Sequence, residues 1–97
     1  MQLGDVGTHF LFENEQVRVW NLVLEPGESS DWHRHERHYM FIVIEPSVLL
    51  AEYEGGGSGE SESFAGQVVM GRKDSVHRVT NTGATRYKNV IVEIKGS

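Results

Sequence analysis

An all-β fold, a small sandwich or barrel of eight or nine short strands with little or no helix, is predicted by three features of the chain. No window repeats apolar residues at i, i+3, i+4 and i+7, so nothing reads as an amphipathic helix. Short runs rich in Val, Ile, Leu and aromatic residues recur throughout. Turn residues punctuate them, at Glu25-Pro26-Gly27-Glu28, Pro46-Ser47 and Asn81-Thr82-Gly83.

Taken in order, an N-terminal strand region over residues 8–24 holds two strands, 8–13 and 16–24, the second rich in Val and Leu around Trp20. Further strands are expected over 30–35, 38–45 and 48–54, the last two separated by Pro46. The polar, glycine-rich stretch 55–62 reads as a hairpin loop, too short to link domains. Strands then resume around 63–64, 67–70 and 76–81, and a C-terminal strand covers 86–95. Tyr39-Met40-Phe41-Ile42-Val43-Ile44 and Asn89-Val90-Ile91-Val92 are apolar at both parities. A small sandwich has one interior, so a strand apolar on both sides needs a second cover, and a homodimer is expected to supply it.

The 97 residues fit one domain. Cysteine is absent, which excludes disulfides, thiolate ligands and thiol nucleophiles. The first residues, Met1-Gln2-Leu3-Gly4-Asp5-Val6, lack the basic and apolar segments of a signal peptide, and no run is long enough to span a bilayer. A cytoplasmic protein without membrane contact is therefore expected. The net charge of −5 argues against a nucleic-acid partner, since phosphate neutralisation supplies most of such binding.

The chemistry-bearing residues are histidines. On a strand, His33 and His35 point to one face. Were His77 to arrive from a neighbouring strand, three imidazoles would converge, an ordinary way to hold a divalent transition metal. Spacing alone leaves surface histidines as an alternative. His9, far from the others, reads as structural. Arg34, Arg37, Arg72, Lys73 and Arg78 lie near the histidines in sequence and read either as solvated surface or as a positive rim for a small anion.

The histidines sit in a recognisable frame. Gly27, five residues, then His33-x-His35 resembles the first half of the cupin motif, here spanning 27–45. Gly66, five residues, Arg72, Asp74, His77, three residues and Asn81 resembles the second half, spanning 66–81. The resemblance covers nearly the whole chain and implies a double-stranded β-helix, the jelly-roll barrel of the RmlC-like cupins. Val17-Arg18-Val19-Trp20, Pro26-Gly27-Glu28 and Trp32-His33-Arg34-His35 are similar to small cupins assigned to β-alanine degradation. It implies His33, His35 and His77 as metal ligands, and Gly27, Gly66 and Asn81 as turn residues.

The chain departs from the motif where a glutamate normally follows the second histidine: Tyr39 and Met40 stand there, and Arg72 and Asp74 replace the usual proline and glycine. Candidates for the missing ligand are His38, which would need a bulge at Glu36-Arg37 to turn inward, Tyr39, and Glu52 or Glu54 on the next strand. Three neutral ligands leave the metal's double charge uncancelled, which favours an anionic, chelating small molecule. The resemblance implies a metal-dependent, dioxygenase-like enzyme, with Fe(II) as first choice and Zn, Mn, Ni or Cu able to fit. Tyr39 would orient substrate or carry a proton, and Arg72 and Lys73 would attract the anion. A non-catalytic metal- or ligand-binding cupin is the alternative.

Overall fold

The computed structural model describes residues 2–71 and 73–96. Nine strands follow one another: β1 (His9–Glu13), β2 (Val17–Leu24), β3 (His33–Arg34), β4 (Tyr39–Glu45), β5 (Val48–Tyr53), β6 (Ser58–Glu62), β7 (Val68–Gly71), β8 (Val76–Asn81) and β9 (Tyr87–Ile94). No described residue is helical. The strands form two antiparallel sheets, one ordered β1-β2-β9-β4-β7 and the other β3-β8-β5-β6.

Alternation places the core between the sheets. Trp20, Leu22 and Leu24 of β2 and Tyr87 and Ile91 of β9 are buried, and they pack with Val6, Tyr39 and Val43. Partly buried Leu49 and Val79 meet them from the second sheet. Register holds the pattern: Trp20 lies opposite Ile91, and Ile91 opposite Phe41, which faces Val69. One residue along, a second row, Val19, Val92, Met40 and Met70, points outward. Beside it runs a third, Asn21, Val90, Ile42 and Val68. Met70 is 66% exposed and Val68 57%. The strands that read as apolar on both faces thus do present a greasy outer surface.

The expected hairpin loop over 55–62 is shorter than its composition suggests. The chain turns at Glu54–Gly57, with Gly56 and Gly57 at positive φ, and Ser58–Glu62 then pairs with β5. That strand is wholly exposed, so only its backbone bonds mark it. Residues 63–64 form no strand. They lead into the turn Phe64-Ala65-Gly66-Gln67, closed by the Gln67 N–H donating to the Phe64 carbonyl (3.0 Å), with Gly66 at φ 86°. Glu25-Pro26-Gly27-Glu28 has the same form, with Gly27 at φ 88°. Both are type II turns that favour glycine in third place, as the motif resemblance implied.

The strand expected over 30–35 is also interrupted, and the interruption builds the site. Ser30 exchanges backbone and side-chain bonds with Val79, while His33 lies opposite His77. Three steps along one chain therefore match two on the other, which is a bulge at Asp31-Trp32. It resets the parity, so that Ser30, His33 and His35 are all buried.

Candidate metal centre

His33 on β3 and His77 on β8 are direct cross-strand partners, and His35 follows two residues after His33 on the same face. Their ring centroids lie 4.6 to 5.0 Å apart. One ligand atom from each falls within a group spanning 4.8 Å. The bulge orients the first of them. His33 Nδ1–H donates to the Asp31 carbonyl (2.8 Å), which fixes the tautomer and leaves the Nε2 lone pair for a ligand.

His35 Nε2 and His77 Nε2 are 3.1 Å apart. Two lone pairs cannot face each other at that distance without a proton or a cation between them. Two nitrogens each about 2.1 Å from one ion, and about 90° apart around it, lie about 3.0 Å from each other. The chemistry of the donor set and its spacing therefore fit a divalent transition metal.

Burial keeps these rings neutral. It holds His33 below the usual imidazole range, opposed by the Asp31 hydrogen bond. Burial, with the neighbouring histidines, pushes His35 down to about 3 and His77 to about 4. Neutral imidazole is the form a metal needs. In metal-free protein the same shifts make stability depend on pH. The unfolded chain takes up protons below about pH 6.5, whereas folded His35 and His77 refuse them until about 3 and 4. This stability is present above pH 6.5 and is lost as pH falls through that window. Chelator-treated protein should melt on the order of 10 °C lower at pH 4.5 than at pH 7.5, and His35→Gln with His77→Gln should flatten the profile. An equally steep profile in that variant would assign the loss to other groups.

Tyr39, in the place of the usual carboxylate, stacks on His35 at 3.6 Å between centroids and 12° between planes. Its hydroxyl is hydrogen-bonded with Ser75, and burial raises its pKa. The stack depends on Gly71, its partner across the β4–β7 pair. A Cβ at Gly71 would run into Cζ and the hydroxyl of Tyr39. Gly71→Ala should cost about 1–3 kcal/mol, and Tyr39→Leu should abolish most of that cost in a double-mutant cycle. Additive losses would mean that the two residues do not compete for space. Sequence reading missed Gly71. A glycine ending an apolar run was its only signal.

Other candidates lie apart. His38 precedes β4 at the parity opposite to Tyr39, and its Nδ1 accepts from the Lys73 backbone N–H (3.4 Å), so it stays out of the cluster. Glu52 is engaged by Arg78 (2.8 Å), and Glu54 is exposed. Lys73 is an exposed turn residue and lines neither cavity at the histidines. Arg72 lies outside the described residues. His9 is exposed on β1 and bonds Thr8.

The three histidines line a small cavity of ≈ 50 Å³ in the core with Tyr39, Phe41 and Ile91. A larger one of ≈ 520 Å³ adjoins it, sharing Tyr39, Phe41 and His77.

No protein-family model matches the chain, and no curated protein does. Solved structures do. A cupin domain from Bordetella pertussis Tohama I superposes with a TM-score of 0.81 at 28% identity, over 96% of this chain and 100% of that one. An RmlC-like cupin with a double-stranded β-helix fold from Methanocaldococcus jannaschii gives 0.70 at 15%, over 94% and 93%. An RmlC-like cupin from Desulfovibrio desulfuricans gives 0.67 at 17%, over 89% and 78%. The fold is the double-stranded β-helix of the cupins.

Proposed function

We propose that this chain is a small cupin that binds one divalent transition-metal ion, Fe(II) as first choice, through His33, His35 and His77, and acts on a small anionic organic molecule by dioxygenase-type chemistry. The observation that carries the reading is the convergence of three neutral imidazoles within 4.8 Å, His33 and His35 buried and His77 partly so, beside an open cavity. A bound ion would supply Lewis acidity and open positions for a chelating anion, undiminished by any carboxylate ligand. His33 is held in its ligand tautomer by Asp31. Tyr39 packs His35 in place and keeps its hydroxyl beside the larger cavity, where it can donate a hydrogen bond to a bound anion. The resemblance in Val17-Arg18-Val19-Trp20 and Trp32-His33-Arg34-His35 allies it with small cupins of β-alanine degradation.

Untagged protein reconstituted anaerobically with Fe(II) should consume dioxygen when given a member of a β-dicarbonyl and thiol-acid panel. Absence of turnover with every metal and substrate would remove the catalytic reading. The absence of a carboxylate ligand favours the second reading, a binding protein without catalysis, and metal-dependent thermal stabilisation by a ligand without turnover would establish it.

We further propose a homodimer through the outer face of the β1-β2-β9-β4-β7 sheet. Five strands about 4.8 Å apart and of four to eight residues offer roughly 500 Å², at the small end of the range for specific interfaces. Ile42→Lys with Val92→Lys should convert a dimer to a folded monomer by light scattering. A wild-type protein monomeric at high micromolar concentration would overturn this.

A further inference from the structure

The larger cavity adds a demand that the histidines alone do not make. It lies where the barrel is open, between β7, the edge of one sheet, and β6, the edge of the other. Its inner end carries His77 and Tyr39. Its lining is mostly apolar, with Phe41, Leu49, Ala51 and Val69 along one wall and Ser63 and Gln67 as polar members. Exposed Tyr53 and Ser61 mark its mouth. At ≈ 520 Å³ it falls in the range of small-molecule sites, roughly 300–1,000 Å³. A two-carbon chelator would leave most of that wall wetted.

We propose that the molecule bound here is an amphiphile: a chelating oxygen head at the histidine end and an apolar body of several carbons, aliphatic or aromatic, along the wall formed by Phe41, Leu49, Ala51 and Val69. The proposal rests on the three-histidine reading and narrows its substrate class. Burial of each methylene tightens binding about fourfold, so the wall discriminates by length where a bare metal site would not.

The test uses Zn-loaded protein and straight-chain hydroxamic acids of two, four and six carbons, titrated by calorimetry. Affinity should rise at least tenfold from the two-carbon to the six-carbon probe, with an increasingly negative heat-capacity change. Ala51→Phe should remove the length dependence, and Ala51→Leu serves if the larger side chain prevents folding. Equal affinity for all three probes would overturn the proposal, as would a length dependence that survives both variants. Failure of the metal reading is seen separately, as protein that elemental analysis finds unable to hold Zn. In that case thermal shifts of the metal-free protein with hexanamide and acetamide decide: a larger shift with hexanamide supports the apolar wall, and equal shifts overturn it.

Discussion

Untagged protein should carry close to one divalent ion per chain, and His33→Ala with His77→Ala almost none: this is the largest effect expected at the site. The two residues are cross-strand partners and belong to different halves of the motif, so their removal leaves His35 as a single donor. Losing an outer-shell partner of a ligand typically costs roughly 10- to 100-fold in affinity, and losing two of three ligands costs far more. Elemental analysis after dialysis measures the stoichiometry, and circular dichroism verifies that the strands persist. Folding should survive, because both rings are desolvated donors whose burial disfavours their charged forms. Tyr39→Phe should keep the ion, since the stack on His35 needs only the ring. A double-alanine variant that retained stoichiometric metal would place the ion elsewhere and end the three-histidine reading.

What the chain discloses in advance depends on whether a contact leaves a periodic trace. β9, and β2 from Trp20 on, bury every second residue, but what announced them was a run of Val, Ile and Leu, since Asn89-Val90-Ile91-Val92 is apolar at both parities. The histidines were legible through the resemblance of their intervals from Gly27 and Gly66 to the cupin motif, and both glycines do take positive φ. The bulge at Asp31-Trp32 was not. A regular strand from Ser30 would put Ser30 and His33 on opposite faces, yet the Ser30 hydroxyl accepts from the Val79 N–H and lets the chain slip by one residue. β6 was hidden for another reason: Ser58-Gly59-Glu60-Ser61-Glu62 buries no side chain, so only its pairing with β5 reveals it. Gly71 leaves no pattern either, because its meaning is the tyrosine lying across the sheet from it.

Asn81 closes the motif, and its replacement should produce the largest loss of stability. The residue is fully buried, with 0% exposure. Its amide nitrogen donates to the carbonyls of Leu24 (2.9 Å) and Thr85 (2.8 Å). Its amide oxygen accepts from the Ser47 hydroxyl (2.8 Å) and the Gly83 N–H (3.0 Å). One side chain thereby ties the end of β2, in one sheet, to the turn after β8, in the other, and to the turn after β4. Truncation leaves four polar groups to find new partners, each unsatisfied buried group costing about 1–3 kcal/mol. Some will reach water, so about 3–5 kcal/mol is expected for Asn81→Ala. Against the roughly 5–10 kcal/mol typical of a domain this size, that brings the chain near unfolding and lowers Tm by roughly 15–30 °C. Asn81→Asp should be at least as harmful, because a carboxylate offers oxygen to the Leu24 and Thr85 carbonyls where the amide offered hydrogen. Thr82→Ala beside it, exposed, should cost far less. Asn81 sits four residues along β8 from His77, about 13 Å away, so the folded fraction of Asn81→Ala should still bind metal at full stoichiometry below its lowered Tm. A variant that melted within a few degrees of wild type would show that the sheets are held together without this amide, and one that lost metal while folded would show that the latch and the site are a single cooperative unit.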